Sequence, residues 1–249
     1  MPQAALKLAE SPSASNFTEA VEWFASKLGA ILTREEWDRL SLAARRRAFT
    51  VSGVARTEIV AGVWASLDRA IARGQSFSDW KKLVAPALEK VWGGSVKNPS
   101  ARIETIFRAN VMSAYGAGRY KQLTNPLTLK LRPYWVYDSV LDGRTTNGCK
   151  TLNGTVAPAD DPFWNDKIPP RHFRCRAGLR SLRKAQAEKL PRFGEKPPEV
   201  EPIDGWGSPP DGGEWEPDLS KYPDDIREKL ELHLKGAPSA PMLPPKTLT

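Results

Sequence analysis

The stretch YDSVLDGRTTNGCKTLNGTVAPADDPFWNDKIPPRHFRCRAGLRSL, Tyr137 to Leu182, decides how this chain is read. It holds both cysteines of the protein, one of its two histidines and the basic tripeptide Arg174-Cys175-Arg176. Gly, Pro and Asp are dense around them, which places these side chains on loops, where a scaffold carries function or a structural clamp. Tyr134-Trp135-Val136-Tyr137 leads in with β character, and Asp142-Gly143 and Asn153-Gly154 are turn dipeptides. A second strand is predicted from Cys175 to Leu182, with Arg176, Arg180 and Arg183 leaving the sheet near one another. Upstream, Leu127, Leu129 and Leu131 alternate with polar residues and extend the predicted β region back to Pro126.

Before Pro126 the period is helical. Asn16 and Glu19 have the form of a capping box opening a helix that Gly29 closes, with Phe17, Val21, Phe24 and Leu28 on one face. A second box, Thr33 to Glu36, opens REEWDRLSLAARRRAF. A third helix is predicted from about Val54 to Arg73, with Val60, Val63, Trp64, Leu67 and Ile71 as its apolar stripe and Gly74 as its stop. The fourth, starting at Ser78, contains Pro86, which is expected to kink or split it. The fifth starts at Ser100 and turns Ile103, Ile106, Phe107, Val111 and Tyr115 inward. Gly116 and Gly118 sit inside it, each at a cost of about 1 kcal/mol relative to alanine, which points to a second backbone approaching closely.

Beyond Arg192 the composition changes. Eleven of the 22 prolines fall in these last 58 residues, too little apolar matter to offset chain entropy, so the segment reads as an extended arm. Trp206 and Trp215 are its candidate anchors on a partner, and Asp224 to Leu234 a short helix. The predicted fold class is therefore α+β: a mainly helical platform over 1–125, a small α+β module over 126–191 and an acidic, Pro-rich extended arm over 192–249.

Charge follows the same division. Residues 1–191 hold 30 Lys/Arg against 17 Asp/Glu, a net of +13, whereas 192–249 hold 7 against 12, a net of −5. A basic body fits work near nucleic acid or another polyanion. No apolar run approaches the roughly 18 residues of a membrane span, and the N-terminus lacks the pattern of a secretion signal.

Three constellations carry chemistry. Cys149, His172 and Cys175 suit zinc, with a fourth ligand from Asp138, Asp142, Asp166 or water. A Cys149–Cys175 disulfide or close thiol pair is equally open, closing a 25-residue loop for roughly 3 kcal/mol under oxidising conditions. So is a pair of unrelated buried cysteines. A formal triad of cysteine, His172 and Asp142 has no nucleophile motif around it. The second constellation is the run Lys167, Arg171, Arg174, Arg176, Arg180, Arg183 and Lys184, which contains no acid and suits phosphate or an acidic protein surface. Arg45-Arg46-Arg47 is a smaller basic cluster. G-x-S-x-G, P-loop and dinucleotide fingerprints are absent, and the whole does not look like an enzyme's active site.

Three pieces in order resemble the Mu F-like family of minor head proteins within the broader phage head morphogenesis group. They are Arg47 to Val54 with the Gly74-x-Ser-Phe-Ser-Asp-Trp80 turn, Ile106 to Arg119, and the block of Asp142, Arg144, Leu152-Asn-Gly154, Asp160-Asp-Pro-Phe-Trp164, Pro169-Pro170 and Cys175-Arg176. Many relatives have His where this chain has Cys149, and Cys-Arg-Cys where it reads Cys175-Arg-Ala177. The resemblance implies a virion component made in the bacterial host cytoplasm and present in few copies at the head interior or portal vertex. Its implied partners are the portal protein, the major capsid or scaffold protein and double-stranded DNA, with no membrane. It implies roles in head assembly and in DNA packaging or ejection and identifies no catalytic residue; no cofactor is expected unless Cys149, His172 and Cys175 take zinc. Alternatives are a metal- or cysteine-dependent hydrolase on Cys149, His172 and Cys175, or a DNA-binding internal head protein.

Overall fold

The computed structural model describes residues 17–27, 31–40, 45, 48–203 and 205–210, with isolated positions between 220 and 231. Its helical part is built from α1 (Thr18–Ala25), α2 (Arg34–Asp38), α3 (Thr57–Arg73), α4 (Phe77–Trp92) and α5 (Pro99–Thr124). The chemistry at each end is local. Thr33 and Glu36 form a reciprocal capping box on α2, Ser76 accepts from the Asp79 amide to start α4, and Asn98 caps α5 with Pro99 as its first residue. Gly74 and Gly93 stop α3 and α4 in the left-handed conformation. Asn16, Leu28, Gly29, Arg46, Arg47 and Trp215 lie outside the described residues, as does most of the helix expected from Asp224 to Leu234.

The stripe expected on α3 is buried throughout and packs against Phe24, Trp80, Val84, Leu88, Ile103 and Phe107 in one core. Phe24 stacks on Trp64 at 6.1 Å, and the buried Trp80 donates its indole N–H to the Ser66 hydroxyl at 2.9 Å. Pro86 does not split α4, which runs unbroken across it. Pro86 stands on the exposed face, where water can hydrate the carbonyl that loses its partner.

The region read as a strand before Tyr134 is instead a short helix, α6 (Pro126–Leu131). Asn125 accepts from the Leu127 amide and Pro126 takes the first helical position, a start signal that outweighs the leucine alternation. Leu127 and Leu131 are consequently exposed and only Leu129 packs inward.

The module is a three-stranded antiparallel sheet in the order β2-β1-β3, from β1 (Tyr134–Asp138), β2 (Val156–Pro158) and β3 (Gly178–Leu182). Tyr134 opposes both Pro158 and Leu182, and Asp138 opposes Gly178. The second strand thus starts at Gly178 rather than Cys175, and β2 was not anticipated. Between β1 and β2 lies α7 (Asn147–Leu152), and between β2 and β3 a 3-10 turn (Pro162–Asp166) and the long loop. Alternation along β1 buries both faces: Trp135 and Tyr137 join Leu123, Leu152, Trp164 and Leu179, whereas Val136 joins Val156, Leu182 and Ala187. The second face is closed by α8 (Lys184–Ala187), with Leu190 and Phe193 packed beside it.

The C-terminal segment has neither helix nor strand from Lys196 to Ile203, and it is docked on the module. Arg192 donates to the carbonyls of Thr151 and Asn153, Val200 packs against the module core, and the Ile168 amide donates to Gly207 O at 2.6 Å. Trp206 meets Phe173 edge-on at 4.9 Å, so its anchor lies within this chain. Residues 192–209 therefore form a strap: backbone hydrogen bonds and a few side chains hold what the low apolar content alone does not.

Candidate metal centre and cationic face

Local sequence brings the first constellation together. Thr146 caps α7, its hydroxyl accepting from the Cys149 amide, which puts Cys149 in the first turn facing the core. Ser139 ties β1 to the same turn by donating to Cys149 O at 2.8 Å. The long loop returns through Pro169-Pro170, and the Cys175 amide donates to His172 O to close a tight turn. Arg174, within that turn, takes the left-handed conformation with φ 61°.

Cys149 Sγ then lies 3.3 Å from His172 Nε2 and 4.0 Å from Cys175 Sγ. The three candidate ligand atoms all fall within 4.8 Å of one another. Both thiols are buried and the imidazole is half-buried. His172 Nδ1 is 2.8 Å from Phe173 O, a carbonyl that only accepts, so Nδ1 carries the proton and Nε2 presents its lone pair. The Thr146 hydroxyl lies 3.1 Å from that lone pair and the Tyr137 hydroxyl 3.3 Å from Cys149 Sγ. Cys149 is pulled well below the ordinary thiol value, first by the hydrogen bond from Cys175, against burial, and then by the Tyr137 and Thr146 hydroxyls. Cys175 is pushed up by the same bond and by burial. Burial pushes the Tyr137 phenol up as well, reinforced by the neighbouring cysteines. Sequence reading missed Tyr137 and Thr146; the Thr-Asn-Gly-Cys capping pattern was the available signal for the latter.

The three aspartates expected as a fourth ligand are engaged elsewhere. Asp142 takes a two-pronged bond from Arg176, at 2.7 and 2.6 Å, and a bond from the Arg144 amide. Those contacts hold its carboxyl well below the ordinary range, the Arg176 hydrogen bonds first. Asp138 pairs with Arg180 at 2.7 Å and Asp166 with Lys167 at 2.6 Å. Because His172 Nδ1 bonds a backbone carbonyl and not Asp142, the formal cysteine triad lacks its orienting carboxylate.

The basic run is dispersed among such partners. Arg174 reaches Glu104 of α5 at 3.5 Å and Lys184 reaches Glu188 at 4.0 Å, while the Arg183 backbone begins α8. Arg171, expected as a contact residue, is only 1% exposed. It donates to the carbonyls of Glu201 and Asp166, bracing the strap, and does not present its charge to a partner. Arg45 covers the Trp37 ring and donates to the carbonyls of Trp37 and Asp38.

Where the helices meet the module, an apolar groove of about 660 Å³ opens between Phe17, Tyr115, Gly116, Arg119 and Pro169-Pro170. Arg119 donates from its edge to Leu179 O, and burial lowers its pKa.

The phage Mu protein F like protein family matches residues 61–180, the span from α3 through β3. The chain is 34% identical over 186 residues to the "Putative capsid assembly protein F" of Escherichia phage Mu, covering 69% of this chain and 42% of that protein. It is 31% identical over 156 residues to the Mu-like prophage FluMu F protein of Haemophilus influenzae, covering 59% and 37% respectively. It thus spans about two-fifths of the length of these relatives. No solved structure matches it. Among the described residues no helix is long and apolar enough to cross a membrane. Residues 61–180 of the chain thus belong to the phage Mu protein F like protein family.

Proposed function

We propose that this chain is a minor head protein of a phage or prophage that acts in capsid assembly at the portal vertex. The observation that carries the proposal is the 186-residue similarity to the "Putative capsid assembly protein F" of phage Mu, with a family match that runs from α3 into β3. The arrangement suits a structural role: a packed helical platform, a small sheet closed on both faces and a strap that braces the long loop. Its partners are the portal protein and the major capsid or scaffold protein, and its place is inside the virion head. The exposed ends of Arg174, Arg180, Arg183 and Lys184, three of them beside carboxylates of this chain, form the face offered to a protein surface of mixed charge.

Protein rather than DNA is the favoured partner of that face. Arg174, Arg176, Arg180 and Lys184 each have a carboxylate within 4.0 Å in their own chain, which reduces the free charge a phosphate backbone would meet. The test is co-expression of this protein with the portal and major capsid proteins of its own phage. Co-purification with portal rings or procapsids is the expected result. Failure to associate with either, together with DNA binding that weakens steeply between about 50 and 200 mM salt, would replace this reading with that of a DNA-binding internal protein.

A further inference from the structure

We propose that Cys149, His172 and Cys175 bind one zinc ion through Sγ, Nε2 and Sγ, with a water completing the tetrahedron. Geometry is the first support. Zn–S bonds of about 2.3 Å and Zn–N bonds of about 2.0 Å place tetrahedral ligands roughly 3.8 Å apart for S–S and 3.5 Å for S–N. The separations here are 4.0 Å between the sulfurs and 3.3 Å from Cys149 Sγ to His172 Nε2, so small side-chain rotations complete the site. A disulfide demands more, since its sulfurs must close from 4.0 Å to about 2.05 Å.

The surroundings are those of a ligand set. The Nδ1–H of His172 is anchored on Phe173 O, which fixes the tautomer that leaves Nε2 free and orients the ring, as outer partners of metal-bound imidazoles do. Tyr137 OH is placed to donate to the Cys149 thiolate. The ion displaces the proton shared between the two sulfurs, and two thiolates neutralise the dication, so a buried pair of sulfurs ends with no net charge. Soft sulfur with imidazole selects zinc over magnesium or calcium.

The fourth position faces a small cavity of about 10 Å³ lined by Ser139, Thr146, Cys149, His172 and Arg174, close to the space one water occupies. None of the three candidate carboxylates is free to fill it, given the pairing of Asp138, Asp142 and Asp166. The ion would clamp α7 to the loop that returns from Pro169-Pro170, doing for 25 intervening residues what a disulfide does where oxidation is possible. Zinc binding stands or falls independently of head assembly.

The experiment uses the full chain, expressed with added zinc, purified under reductant and dialysed against a weak chelator. Elemental analysis is expected to give about one zinc per chain, and cobalt exchanged for zinc is expected to show thiolate charge-transfer and tetrahedral absorption bands. Cys149→Ser and His172→Gln should each lose the stoichiometric metal. His172 is half-buried, so its variant reports on metal even if the cysteine variant fails to fold. Two reactive thiols with sub-stoichiometric zinc after reconstitution would overturn the proposal. So would a non-reducing mass lower by two hydrogens, which marks the disulfide.

Discussion

Gly116 in α5 lies against the Pro169-Pro170 peptide so closely that a Cβ on it would stand 2.8 Å from Pro169 O and 2.9 Å from Pro170 Cδ. Two turns of chain separated by more than fifty residues meet there, and the contact seats the long loop on the helical platform. Gly118 does the same for α1: its Cβ would stand 2.7 Å from the Ala20 amide nitrogen. Two glycines two residues apart in mid-helix are thus explained by two backbones approaching α5 from nearly opposite sides.

Alanine at either position should therefore destabilise the protein, although helix propensity alone predicts a gain of about 1 kcal/mol. Overpacking against backbone costs roughly 1–3 kcal/mol, and it is expected to win. Urea denaturation of Gly116→Ala and Gly118→Ala checks the sign. A stabilised Gly116→Ala would mean that the loop is not held as described.

Arg171 is the second case. Its guanidinium is buried and bonded to carbonyls on both sides, one of them in the strap. Arg171→Ala should lose on the order of 3 kcal/mol, the scale of charged hydrogen bonds removed from the interior. The same variant should open residues 192–209 to proteolysis while the helical platform keeps its circular dichroism.

Asp142 links stability to pH. Its carboxyl is held below the ordinary range, so its contribution is complete above about pH 4 and is lost as pH falls through the lower folded-state value. Asp142→Asn should remove that part of the acid dependence, so wild type and variant are expected to converge in melting temperature as the pH is lowered. A constant difference from neutral pH down to strong acid would show that the Arg176 pairing contributes nothing through charge.

An arm beyond Arg192 implies that a chain ended after Pro191 keeps a folded body. The strap contacts refine that expectation. Far-ultraviolet helicity should be retained, because the α1–α5 core does not include the strap. Amide exchange in β1, β3 and the 166–171 loop should accelerate, because Val200, Glu201 and Gly207 all contact the module. A chain ended after Pro210 keeps these contacts and should match the full-length protein in amide exchange at β1, β3 and the 166–171 loop.

The helical platform was legible because a 3.6-residue period leaves its mark on one element at a time: Val60, Val63, Trp64, Leu67 and Ile71 identify a buried face without knowledge of its partner. The meeting of Cys149, His172 and Cys175 was legible because only two cysteines and one nearby histidine exist to be combined. What failed depended on distant chain. PLTLKL alternates like a strand, but the Asn125-Pro126 start decides for helix, and with only six residues neither pattern accumulates weight. β2 has three residues and exists because β1 offers it an edge. The basic run gave no sign that Arg174 would find Glu104, Arg176 Asp142 and Arg180 Asp138, since those partners lie 34 to 70 residues away. Arg171 reads as one more cation until a carbonyl of the Pro-rich segment is laid beside it.

The most direct test of the central claim is quantitative mass spectrometry of purified immature and mature heads, scaling this chain against the portal and major capsid proteins. The proposed function predicts a low, reproducible copy number in the head, near that of the portal and far below that of the capsid protein. Absence from both immature and mature heads, with the protein abundant in infected cells, would contradict it.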